Sequence, residues 1–133
     1  MEKEVQLGLA GETPYFGHLG IEIVKLEKGY ARLRLDFKDY LTHPYGYIHG
    51  GAIASLADSA GVNSVMTVLD EGQKAFTLEM KVNYLLPVKD GPLFGDGRMI
   101  HKGKQFAVSD VDVKNADGQL VAKAIVTCVI QSR

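Results

Sequence analysis

The chain has 133 residues, 46% of them apolar and 23% charged, a composition that fits one folded domain and is that of a globular and not a disordered chain. With 15 Lys and Arg against 16 Asp and Glu, the net charge of −1 gives bulk nucleic-acid binding no electrostatic basis. A single cysteine, Cys128, excludes an internal disulfide framework and a cysteine-rich zinc site, and a reducing, cytoplasmic setting is the expectation.

Met1-Glu2-Lys3-Glu4 lacks the basic-then-apolar order of a leader peptide. Thr13-Pro14 reads as a helix start, with Thr as N-cap and Pro at the first helical position. Gly17 and Gly20 restrict that helix to a short turn. Ile21–Glu27 and Tyr30–Lys38 read as strands joined by a Lys28-Gly29 hairpin turn. Leu33, Leu35 and Phe37 alternate with Arg32, Arg34, Asp36 and Lys38, so one face is buried and the other wet. Asp39–Ile48, with Pro44 and Gly46, reads as a loop.

Ala52–Leu69 carries apolar residues at spacings of three and four and predicts a helix of about 27 Å, ended by Asp70-Glu71-Gly72. Gly50 to Leu69 is long enough to suggest a membrane span. Asp58, Asn63 and the serines at 55, 59 and 64 argue instead for a helix buried in protein, so no membrane association is expected. Phe76–Tyr84 follows as a strand whose Phe76, Leu78, Met80, Val82 and Tyr84 share one face, opposite Thr77 and Glu79. Leu93–His101 is a weaker strand in which Gly95 and Gly97 suggest a bulge or bend. Gln105–Lys114 and Leu120–Ile130 are joined by a turn at Asn115 to Gly118. Ala124–Ile130 is apolar on both faces, as a central, doubly covered strand would be. The order β-β-α-β-β-β-β predicts one α+β domain over residues 1–133. Its short links make the sheet mainly antiparallel, with five or six strands packed on one long helix.

The chemistry concentrates in His49-Gly50-Gly51-Ala-Ile-Ala-Ser-Leu-Ala-Asp58. Two glycines opening a helix present free N–H groups that a substrate oxygen can approach closely, as an oxyanion site requires. Tight packing at a helix start explains the same pair. Asp58 is a carboxylate on a largely apolar helix, where burial would raise its basicity for general-base or nucleophilic work. A structural carboxylate satisfied by its neighbours is the alternative. His49 and Asp58 stand nine residues apart, on opposite sides of a helix and about 13 Å apart along it. They are therefore expected to meet only across a two-fold axis, in a dimer with two composite sites.

HGGAIASLAD, with Tyr47-Ile48 upstream and Thr77-Leu-Glu-Met-Lys-Val-Asn-Tyr-Leu-Leu-Pro87 downstream, resembles the hotdog-fold acyl-CoA thioesterases of the PaaI (phenylacetate-degradation) type, from about Pro14 to Ile130. The resemblance implies a long helix wrapped by an antiparallel sheet, protomers paired into a continuous sheet, and homotetramers built as dimers of dimers. It implies hydrolysis of an aryl- or fatty-acyl-CoA to free acid and CoA, with no metal and no separate cofactor. Gly50, with Gly51 nearby, would polarise the thioester carbonyl. Asp58 of the neighbouring subunit would act as base or nucleophile, His49 would orient the site, and Thr77 would help hold the water. Many relatives carry Asn six residues before the His; here that residue is His43, which either lines the site or lies on a surface loop. Arg98, His101, Lys102 and Lys104 form a basic cluster, read either as a site for the phosphates of CoA or as a solvated hairpin.

Ser55, Ser59 and Ser64 lack a nucleophile elbow, His18 and His101 lack metal-ligand spacing, and Cys128 reads as core. An acyl-thioester hydratase and a non-catalytic acyl-CoA-binding protein are the other readings. The spacing from HGG to Asp58 disfavours the first, and an unpaired buried carboxylate disfavours the second.

Overall fold

The computed structural model describes residues 13–132; the Met1–Glu4 segment lies outside them. Helix α1 (Pro14–Leu19) leads into strands β1 (Ile21–Glu27) and β2 (Tyr30–Leu35). A 3₁₀ turn (Asp39–Leu41) and a loop precede the long helix α2 (Gly50–Met66). Strands β3 (Gln73–Tyr84), β4 (Leu93–Lys102), β5 (Phe106–Asn115) and β6 (Leu120–Ser132) complete the chain. The strands form one six-stranded sheet in the order β1-β2-β4-β5-β6-β3, with every pair antiparallel.

Several boundaries differ from the sequence expectation, each for a local reason. β2 ends at Leu35 and not Lys38, because Leu35 pairs with both Ile21 and Leu93, where the neighbouring ladders end. α2 begins at Gly50 and not Ala52, since His49 takes the N-cap position. It ends at Met66 and not Leu69, where Thr67 Oγ1 donates to the Ser64 carbonyl and accepts from the Gly29 N–H, each at 2.7 Å. The helix end is thus tied to the β1–β2 hairpin. Gly72, with φ +84°, belongs to the turn that feeds β3 and does not cap the helix.

One face of the sheet packs on α2. Leu33, Leu35, Leu93, Val111, Val113, Val126 and Cys128 meet Leu56, Ala57, Ala60 and Val65, all fully or nearly fully buried. Gly95 and Gly97 do not mark the bulge, which falls between Met99 and His101. They admit the helix: a Cβ at Gly97 would collide with the Ala60 carbonyl oxygen, and one at Gly95 would lie 3.1 Å from Leu56 Cγ. Gly61 does the same from the helix side, where a Cβ would lie 2.7 Å from Val126 Cγ2. β6 is interior to the sheet, as expected, but it is covered on one face only; Ile125 on the other is 38% exposed. Among the described residues no helix is long and apolar enough to cross a membrane.

Candidate active site

β3 is the edge strand beside β6, and its register carries a bulge between Thr77 and Glu79. Before the bulge, Ala75 and Thr77 pair with the inward-facing Ile130 and Cys128; after it, Met80, Val82 and Tyr84 pair with the inward-facing Val126, Ala124 and Ala122. The extra residue exchanges the two faces of the strand. Phe76 and Leu78, expected on the buried face, are instead 50% and 61% exposed. Thr77, expected on the opposite face, is turned toward the helix.

That turn brings Thr77 to Asp58. Thr77 Oγ1 donates to Asp58 Oδ1 at 2.6 Å. Asp58 is half-buried in the single chain, not enclosed as the apolar helix suggested. Its negative charge is felt by Cys128, the register partner of Thr77. Burial first, and then Asp58, pushes that thiol up from 9.0 to about 11. Cys128 is therefore a protonated core residue at neutral pH.

At the start of α2 only one of the two glycine amides is open. The Gly51 N–H donates to His49 Nδ1 at 2.8 Å, so His49 caps its own helix and consumes one of the two donors expected to be free. The Gly50 N–H has no acceptor among the described residues. The carbonyls of this turn accept side-chain hydrogen bonds, one from β3 and one from the next turn of α2 itself. Tyr84 Oη donates to the Gly50 oxygen at 3.0 Å, and Ser55 Oγ donates to the Gly51 oxygen at 2.9 Å. Ser55 is hydrogen-bonded in turn to Tyr15 Oη of α1 at 2.7 Å. Tyr84 and Tyr15 had no assigned place at the helix start; contact across 34 and 40 residues leaves no mark in a local pattern.

His43 sits in the loop before α2, where its Nδ1 accepts from the Tyr45 N–H at 3.1 Å and its ring lies edge-on to Tyr45. It makes no hydrogen bond to the helix start among the described residues. The basic cluster is divided. Arg98 pairs with Tyr30 and Asp110 and stacks on the Tyr30 ring at 4.5 Å, on the outer face of the sheet. The Met99/His101 bulge leaves Lys102 opposite the inward-facing Ala107, and Lys104 lies in the β4–β5 turn. This hairpin flanks the C-terminal half of α2, since the neighbouring Ser109 Oγ bonds Ser64 Oγ at 2.7 Å. Within one chain it lies toward the opposite end of the helix from Gly50.

Asp58 stands at the margin of a cavity of about 360 Å³ lined by Thr13, Phe16, Asp58, Ser59, Val62, Asn63 and Met66. The helical members follow the spacing of one face of α2.

A long helix packed on one face of a six-stranded antiparallel sheet is the hotdog architecture. Residues 45–122 match the family model of the thioesterase superfamily, and the chain belongs to that family. It is 42% identical to a provisionally named esterase of Saccharolobus solfataricus, over 92% of this chain and 81% of that one. It is 28% identical to the 1,4-dihydroxy-2-naphthoyl-CoA hydrolase of Listeria monocytogenes, over 86% of this chain and 94% of that one. The solved structure of the E. coli PaaI protein from the phenylacetic acid degradation operon superposes with a TM-score of 0.86 at 25% identity, covering 96% of this chain and 92% of that one. The protein is a thioesterase-family hydrolase.

Proposed function

We propose that the protein hydrolyses an acyl-CoA thioester to a free acid and CoA in a site shared by two subunits. The observation that carries this reading is the separation of the open Gly50 N–H from the Thr77-bound Asp58 along one helix, about 12 Å along its axis. One substrate carbonyl cannot meet both within a chain, whereas a two-fold axis at the β3 edge would bring one subunit's helix start to its partner's Asp58. Pairing along β3 would also satisfy the unpaired backbone of that edge and cover Phe76 and Leu78. Dimers would then assemble in pairs.

In the composite site the Gly50 N–H, at the positive end of α2, holds the thioester oxygen as negative charge develops on it. Asp58 takes a proton from water, and the water oxygen attacks the carbonyl carbon. The C–S bond then breaks, and CoA leaves as a thiolate that collects a proton. Direct attack by Asp58, through a mixed anhydride that water hydrolyses, balances equally well. Thr77 orients the carboxylate in either course. His49 fixes the first helical turn through Gly51. Lys102 and Lys104 offer cations for the CoA phosphates, and Arg98, engaged on the outer face, contributes less.

Two inactive variants test the shared site. Gly50→Pro removes the critical N–H where proline suits a helix start, and His49 already has the extended backbone that a residue before proline needs. Asp58→Asn removes the base. Each alone should release no thiol from acyl-CoA. Refolded together they should recover about a quarter of wild-type activity, since each hybrid dimer holds one intact site. No recovery in demonstrated hybrids would refute the shared site. Tight acyl-CoA binding by the wild type without any thiol release would move the reading to a binding protein.

A further inference from the structure

The first two peptide units of α2 are held at every point but one. In the unit between His49 and Gly50, the carbonyl accepts from the Ala52 N–H at 2.9 Å and the Ile53 N–H at 3.3 Å, and the Gly50 N–H stays open. In the unit between Gly50 and Gly51, the N–H donates to His49 Nδ1 and the carbonyl accepts from Tyr84 Oη. Three of these four groups are engaged within the helix or by its own N-cap. Only the Tyr84 bond ties this turn to the sheet. The Tyr84 ring also packs on the glycine itself, since a Cβ at Gly50 would lie 3.3 Å from Tyr84 Cζ. A helix that opens on two glycines has the loosest backbone at the end most apt to fray, whereas an oxyanion donor works only if it is already in place.

Tyr84 reaches the helix because of the bulge in β3. Residues 77 and 84 are seven apart and would fall on opposite faces of an unbroken strand. The extra residue between Thr77 and Glu79 puts both on the helix side, paired with the inward-facing Cys128 and Ala122. One strand thus grips α2 twice, at Asp58 through Thr77 and at Gly50 through Tyr84. We propose that Tyr84 is a positioning residue that fixes the Gly50 N–H for the thioester oxygen, by holding the neighbouring carbonyl from β3. In the two-fold arrangement each β3 would steady the donor of one site and the carboxylate of the other. The inference rests on the hydrolase reading of this site.

The test compares wild type with Tyr84→Phe, which keeps the ring and removes the hydroxyl at a residue 54% exposed. Hexanoyl-CoA and benzoyl-CoA serve as substrates. S-hexyl-CoA and S-benzyl-CoA, thioethers with no carbonyl for Gly50 to hold, serve as ligands. Tyr84→Phe should lower kcat by about 10-fold with little change in KM, and should bind both thioethers as wild type does. Exchange of the Gly51 amide hydrogen, followed by NMR, should quicken by about 10-fold, while the amides of residues 56–60 keep their wild-type rates. An unchanged kcat overturns the role of Tyr84. So does a lower kcat accompanied by weaker thioether binding or by faster exchange at residues 56–60, because the hydroxyl would then support the structure at large. In each of those cases an active wild type leaves the hydrolase reading standing. No thiol release by wild type from either substrate would strike the hydrolase reading, and the role of Tyr84 with it.

Discussion

Thr77 Oγ1 and Asp58 Oδ1 are joined by a 2.6 Å hydrogen bond between the edge strand and the long helix. The bond exists because Leu78 is inserted as a bulge immediately after Thr77, so that Thr77 faces the helix while Phe76 and Leu78 face away. The donor holds the carboxylate in one orientation, which a base or a nucleophile needs. Thr77→Val should lower kcat by about 10- to 100-fold with little change in KM, and Thr77→Ser should restore most of it. Steady-state kinetics on an acyl-CoA decide this; an unchanged kcat in Thr77→Val would remove Thr77 from the site.

Cys128 gives the protein an alkaline limit. Its thiol is raised from 9.0 to about 11 by burial and by the Asp58 charge, so folding favours the protonated form. That contribution is fully present below about pH 9 and is lost as the pH rises through about 11. Urea unfolding of wild type should lose roughly 2–3 kcal/mol across that interval from this group. Cys128→Val should lack that part of the slope.

Two glycine-to-alanine substitutions should act in opposite directions. At Gly97 the new methyl meets the Ala60 carbonyl oxygen, which is helix backbone and cannot step aside. Gly97→Ala should destabilise by about 3 kcal/mol or more. At Gly17, inside α1, nothing lies within 4 Å, and Gly17→Ala should stabilise by up to about 1 kcal/mol. Thermal melts of the two variants beside wild type report the contrast.

The edge of β3 should govern assembly. Lysine at both Phe76 and Leu78 puts charge on residues already 50% and 61% exposed in the single chain, so the fold should survive while pairing fails. Light scattering should show wild type at twice the chain mass or more, and Phe76→Lys/Leu78→Lys as an inactive monomer. A double variant that stays dimeric would place the subunit contact elsewhere.

Elements with a strong period were legible in the sequence. The α2 stripe, the Arg32–Leu35 alternation and the Asn115 turn all stand where the pattern put them; at the turn Asn115 Oδ1 accepts from the Asp117 and Gln119 N–H groups. Of the motif from His49 to Asp58, only Asp58 borders the cavity, whose other helical members lie beyond the motif. The faces of β3 were not legible, because an alternating pattern continues unbroken through a bulge while the pairing beneath it shifts. The capping of Gly51 by His49 could not be anticipated either, since histidine is not among the usual N-cap residues.

The close approach of α2 to β4 also limits how such a site can change. With Gly97 against Ala60, Gly95 against Leu56 and Gly61 against Val126, the helix is keyed to the sheet and cannot slide along it or roll. The axial distance from Gly50 to Asp58, and the placement of each relative to β3, are therefore constants of the scaffold. If the cavity takes the acyl group, a new acyl preference has to be written in side chains on the free flank of the helix, at positions 62, 63 and 66, and in the part of α1 that faces them. On the proposed reading, the spacing of Gly50 and Asp58 and the choice of acyl group are mechanically separate, so one can vary while the other stays fixed.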